Sequence, residues 1–159
     1  MNESKSKIYA KIILFAFIGG FGGAIPYLAL NFFTNTLIGP LYLLVGFSAY
    51  SLYLYFVDQR EKNALYMLFV ILGILLSIVF SQTIFFSFDP NFTNGLAGNA
   101  FDKATKIISN NLMIYFTAIG LYFIISLLGL LITYILFKML KISSPTNKER
   151  MKKNARKKF

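Results

Sequence analysis

Apolar residues fall into four long runs along the chain, separated by short polar breaks. A helix rises 1.5 Å per residue, so about 20 apolar residues cross about 30 Å of hydrocarbon. The runs 8–33, 37–57, 64–86 and 112–140 all reach that length. The first is interrupted by Lys11 near its start and Asn31 near its end, and Thr34, Asn35 and Thr36 divide it from the second. Lys138 closes the fourth, where its stem can lie in hydrocarbon and its ammonium at the interface. The pattern predicts an all-α integral membrane protein in which residues 1–142 form a bundle of four transmembrane helices and 143–159 form a basic tail. The first run could be taken for a signal peptide, with Lys5, Lys7 and Lys11 ahead of a short apolar core. Its apolar character continues through Gly22, Gly23 and Ala24 to Phe33, which favours an uncleaved anchor.

The basic residues give the orientation. Of 16 Lys and Arg, 14 fall before or near the start of the first run, between the second and third, or at and after the end of the fourth. The opposite side carries only Lys103 and Lys106, offset by Asp89 and Asp102. By the positive-inside rule both termini are expected to be cytoplasmic, and a plasma membrane is the expected location. Lys outnumbers Arg, and Ile, Phe, Asn and Tyr are abundant, a usage that AT-rich codons produce and that suggests a bacterial source.

Composition removes several kinds of chemistry. The chain is 57% hydrophobic and 14% charged, against about 45–50% and about 25% for soluble domains. It has no Cys and no His, so disulfides, zinc fingers, thiol nucleophiles, haem–His ligation and Ser-His-Asp triads have no ligands or bases here. A formal charge of +10 sits on a chain too apolar for a soluble nucleic-acid binder, so nucleic acid is not the expected partner. No Asp, Glu, Lys or Arg lies in the central two-thirds of any run, where ion-coupled transporters usually carry one. No cofactor, no metal and no catalytic residue is expected.

Small residues instead mark the helix contacts. The first run holds Ala16, Gly19, Gly20, Gly22, Gly23 and Ala24; Gly19/Gly23, Ala16/Gly20 and Gly20/Ala24 all repeat the four-residue spacing that lets two backbones approach. Pro26 then removes the amide that would bond the Gly22 carbonyl, which predicts a kink. The third run has Gly73, Ser77 and Ser81 on one face with Gln82 beside it. The fourth has Ser126, Gly129 and Thr133, and the second has Tyr42, Gly46, Tyr50 and Tyr53. Packing within the bundle is the plainer reading of these stripes and a partner-binding face the sharper one. If the first run is the main contact face, leucine at Gly19 or Gly23 should cost more than leucine at Gly129.

Between the third and fourth runs, Ala97, Phe101, Ala104 and Ile108 recur at helical spacing among polar neighbours. That predicts a short amphipathic helix in the outer loop, lying at the membrane surface. In the cytoplasmic turn 58–63, Asp58 and Glu61 are the only carboxylates and have no nucleophile or metal set beside them. In the tail, Thr146 to Glu149 matches a capping box, and Lys148, Arg150, Lys152, Lys153, Arg156, Lys157 and Lys158 follow within twelve positions. Such a cluster can bind an anionic inner leaflet or a partner, or act only as a topology signal.

The expected function is that of a small, non-catalytic membrane protein acting through helix–helix contacts: an accessory or regulatory subunit, or an immunity-type factor. Its partner would be another membrane protein, a peptide or a copy of itself. The alternative is a transporter or channel component working as an oligomer or with a second subunit.

Overall fold

The computed structural model of the chain describes residues 5–34, 38–56, 64–88 and 98–139. They form α1 (Lys5–Thr34), a 3₁₀ turn (Gly39–Tyr42), α2 (Leu43–Phe56), α3 (Ala64–Phe88), α4 (Ala100–Asn110) and α5 (Leu112–Met139), with no strand among the described residues. Three stretches are long and apolar enough to cross a membrane: Ser6–Thr34, Leu65–Phe88 and Leu112–Met139. The chain thus has the helical, apolar build of a membrane protein. Residues 58–63 and the tail, including Lys148, Arg150, Lys152, Lys153, Arg156, Lys157 and Lys158, lie outside the described residues.

The second run differs from its expected form. Instead of one helix over 37–57, α2 has 14 residues and is preceded by a tighter turn in which Pro40 occupies the start. Proline lacks the amide that a longer helix would need, and its fixed φ suits a first turn. The Leu41 amide bonds back to the Ile38 carbonyl at 3.1 Å. In α1, by contrast, Pro26 lies inside a helix that runs on to Thr34.

Side-chain removal at the crossings sets the arrangement. Gly23 of α1 faces Leu44 and Ser48 of α2, while Gly19 faces Ser48 and Ala49, so these helices are antiparallel. Gly73 of α3 faces Ala16 and Phe17, and Ser77 faces Gly20, so α3 runs parallel to α1. On the other side of α2, Gly46 faces Ser126 and Leu130 of α5 and Gly129 faces Leu43, and Tyr42 meets Tyr122 while Tyr50 meets Tyr134, a parallel pair. The order across the bundle is α3, α1, α2, α5, with α5 closing back on α3 through a smaller contact. Thr34 and Phe88 finish, and Leu43 and Leu112 begin, at what we call the upper end.

Three serine hydroxyls tie these crossings together. Ser48 Oγ lies 2.6 Å from the Gly19 carbonyl oxygen and 2.5 Å from that of Leu44, its single proton serving one at a time. Ser77 Oγ lies 3.3 Å from the Phe17 carbonyl and 2.7 Å from that of Gly73. Ser126 Oγ donates to the Tyr42 carbonyl at 3.0 Å. Each hydroxyl reaches a neighbouring backbone only because a glycine or alanine lets the helices close to contact.

At the upper end, Asn99 caps α4 by accepting from the Asp102 amide at 2.9 Å, and Gly98 precedes it at φ +119°, where a side chain would be strained. The helix buries Ala104 and Ile107, chiefly against α3. Ile107, rather than Ile108, is its buried isoleucine.

The closest approach is between α2 and α5. A methyl group at Gly46 would fall on the Ser126 carbonyl and 2.6 Å from the Leu130 amide, and one at Gly129 would fall on the Leu43 carbonyl. Both collisions are with backbone, which cannot rotate aside. Gly46→Ala and Gly129→Ala should therefore each cost about 1–3 kcal/mol, as much as alanine at Gly19. Gly120→Ala, with nothing within 4 Å, should be neutral. Thermal unfolding in detergent followed by circular dichroism gives the ranking.

Candidate functional site

Polar side chains deep in a bundle need partners of their own, because hydrocarbon supplies none. Here they gather in the upper half. Tyr27 comes from α1, Tyr42 from the 3₁₀ turn, Ser81 and Gln82 from α3, and Tyr122 and Ser126 from α5. Tyr42 and Gln82 are fully buried. The Tyr42 ring stacks on Tyr122 with centroids 4.2 Å apart and 15° between planes. Tyr27 leans on both, at 4.6 and 5.5 Å, and Phe85 closes the other side of Tyr27 at 6.2 Å.

The hydrogen bonds have a direction. Ser81 Oγ donates to the Ile78 carbonyl at 3.0 Å, so it accepts from Tyr42 Oη, also at 3.0 Å. Tyr42 has then used its proton and accepts from Gln82 Nε2 at 2.6 Å. The chain of donation therefore runs Gln82, Tyr42, Ser81, Ile78 carbonyl. A second link joins the Tyr27 and Tyr122 hydroxyls at 3.2 Å. Next to Gln82, Thr83 Oγ1 donates to the Val79 carbonyl at 2.8 Å and meets the Tyr115 hydroxyl at 3.0 Å. Asn31, one turn above Tyr27, is buried as well. Among the described residues, Ser51 Oγ is the buried side-chain polar atom with no hydrogen-bond partner.

Chemically this is a set of neutral donors and acceptors: phenols, hydroxyls and one carboxamide. The described residues contain no group of three carboxylate, His or Cys ligands that could hold a metal ion. The cluster joins α1, α3, α5 and the turn that leads into α2 at one level and fixes their rotation about their axes.

The small-residue face of the sequence is divided between two neighbours. Gly19 and Gly23 meet α2, whereas Ala16 and Gly20 meet Gly73 and Ser77 of α3; Ala24 is buried. Ser81 belongs to the tyrosine cluster rather than to a small-residue contact. The chain's own helices occupy this face, so an external partner would meet other surfaces. Tyr27, Tyr122 and Ser48 carried no sequence signal of their own. The one available cue is that tyrosine usually sits at membrane interfaces, whereas Tyr27 and Tyr122 lie well inside apolar runs. The chain matches no protein-family model, no curated protein and no solved structure.

Removing one member should expose the directionality of the cluster. Tyr42→Phe removes both the 2.6 Å acceptor of the Gln82 amide and the donor to Ser81 and should cost about 1–3 kcal/mol. Tyr122→Phe, which breaks the longer 3.2 Å link, should cost less, nearer the about 0.6 kcal/mol average for hydrogen bonds between membrane helices. The double variant Tyr42→Phe/Gln82→Leu should be more stable than the sum of its singles predicts. A double-mutant cycle by unfolding titration in mixed micelles checks both the order and the coupling.

Proposed function

We propose that this chain is a non-catalytic multi-pass protein of the plasma membrane, with four spans and cytoplasmic termini, that acts by holding a second membrane polypeptide against α5. The observation that carries the reading is the open face of α5. It packs on α2 and more lightly on α3, leaving Phe116, Leu121, Ile124, Leu128 and Leu131 about half exposed. Gly120 sits in the middle of that face with nothing within 4 Å, and Thr117 is exposed one turn before it. Small residues on an open helix face let a partner backbone approach, the same device that the chain uses between α1 and α2.

Four spans are supported by the position of α2. Its 14 residues and the four of the 3₁₀ turn extend about 29 Å at about 1.5 and 2 Å per residue, close to the thickness of hydrocarbon. It lies between α1 and α5, both long enough to cross. The basic residues then put the lower end in the cytoplasm and α4 on the outer surface. The tail 143–159 would lie beside the anionic inner leaflet, and the residue usage suggests a bacterial membrane.

Two measurements test this. Single cysteines at Asn2, Asn63 and Asn154 should be shielded from an impermeant thiol reagent in intact cells, whereas one at Asn94 should label. Labelling of Asn63 but not Asn94 would overturn the four-span arrangement. For the function, a polypeptide purifying stoichiometrically with the wild type in mild detergent should be lost from Gly120→Leu. A partner of the chain's own mass would make the assembly a homo-oligomer. Equal retention in Gly120→Leu, or a wild type that is monomeric and without a partner, counts against α5 as the contact face.

A further inference from the structure

On the side of the bundle away from α2, α1 and α3 leave an open groove of about 640 Å³, within the roughly 300–1,000 Å³ range of small-molecule sites. Ala10, Leu14 and Phe17 line its α1 wall, and Leu76, Phe80 and Thr83 its α3 wall. The Thr83 hydroxyl is engaged by the Val79 carbonyl and the Tyr115 hydroxyl, so the lining offers an occupant apolar contact. Because Gly73 is level with Ala16 and Ser77 with Gly20, the α3 wall stands higher than the α1 wall. The groove therefore runs obliquely over about 20 Å, more than half of the hydrocarbon thickness of about 30 Å, which is the depth of one leaflet's chains.

The lower mouth carries positive charge. Lys7 is exposed and precedes Ala10 by three residues and Leu14 by seven, so it lies on the same helical stripe one turn below the groove. We propose that this groove is a binding site for one acyl chain of an anionic phospholipid, with its phosphate held at Lys7. Charge complementarity decides the occupant. A partner helix needs apolar contact along its length and no cation at one end, whereas a lipid joins an aliphatic chain to a phosphate at the interface. The assignment to the inner leaflet rests on the orientation proposed above; the site itself does not.

The test uses the full chain in nanodiscs holding equal phosphatidylglycerol and phosphatidylcholine, followed by native mass spectrometry of the released protein. The wild type should carry one phosphatidylglycerol in preference to phosphatidylcholine. Ala10→Phe and Leu76→Trp fill the groove from opposite walls and should each reduce retention about tenfold or more, the effect of withdrawing roughly two methylenes from burial. Lys7→Gln should keep a bound lipid but lose the preference between headgroups. Replacing Lys152, Lys153, Lys157 and Lys158 with Gln should leave retention unchanged, which separates this site from the tail. Unchanged phosphatidylglycerol in both groove-filling variants, equal retention of the two lipids by the wild type, or loss in the tail variant would overturn the proposal. So would a photoreactive residue at Leu14 that captures a polypeptide instead of lipid. Nanodiscs present both leaflets, so an inverted orientation leaves these results unaltered and is read from the cysteine labelling alone.

Discussion

Close approach of backbones is the constraint on which this bundle depends. Lipid tails are as apolar as leucine, so burying leucine between helices gains little over leaving it in the bilayer, and association relies on packing contacts and hydrogen bonds. Here both come from the same places. Gly19 and Gly23 bring α1 to α2, Gly73 brings α3 to α1, and Gly46 with Gly129 brings α5 to α2. At each of the three crossings a serine hydroxyl sits within reach of a neighbouring carbonyl. Without the glycines, the serines would be too far from their acceptors to bond them.

The tyrosine cluster follows from that geometry. Once four elements are held at contact distance, their upper halves enclose a volume that phenol rings fill, and the hydroxyls must be paired there because water is absent. Gln82 supplies the donor that lets Tyr42 pass its own proton to Ser81. The stacked Tyr42 and Tyr122 rings bridge the turn and α5, adding packing that serine contacts alone would not give. The pairing of nearly every buried polar side-chain group among the described residues describes a scaffold, and it turns attention to the faces left open.

Two such faces stand out among the described residues, and they differ in kind. The α5 face is apolar with a glycine at its middle, which suits a second helix. The groove between α1 and α3 is apolar with a lysine at its lower mouth, which suits a lipid. The proposed partner-holding role and the proposed lipid site thus occupy opposite sides of the bundle. A lipid seated between α1 and α3 would brace the two parallel helices that α2 does not separate.

The sequence alone determined that the chain is helical, where its long apolar helices run, and which small residues mark the crossings. Those properties depend on hydrocarbon thickness and on a helical period, both of which are local and can be counted along the chain. It also marked Tyr42, Ser126 and Gln82 as members of stripes, because stripes too are local. Four decisions belonged to the tertiary structure. Pro40 gives α2 a tight first turn instead of a longer helix. The glycine face of α1 is split between α2 and α3. Gly46 and Gly129 make a crossing as close as any in α1. Tyr27, Tyr42, Gln82 and Tyr122 meet at one level. Each of these depends on which helix lies beside which, and at what height. Apolar helices that share one period and one composition leave that choice open until their backbones touch.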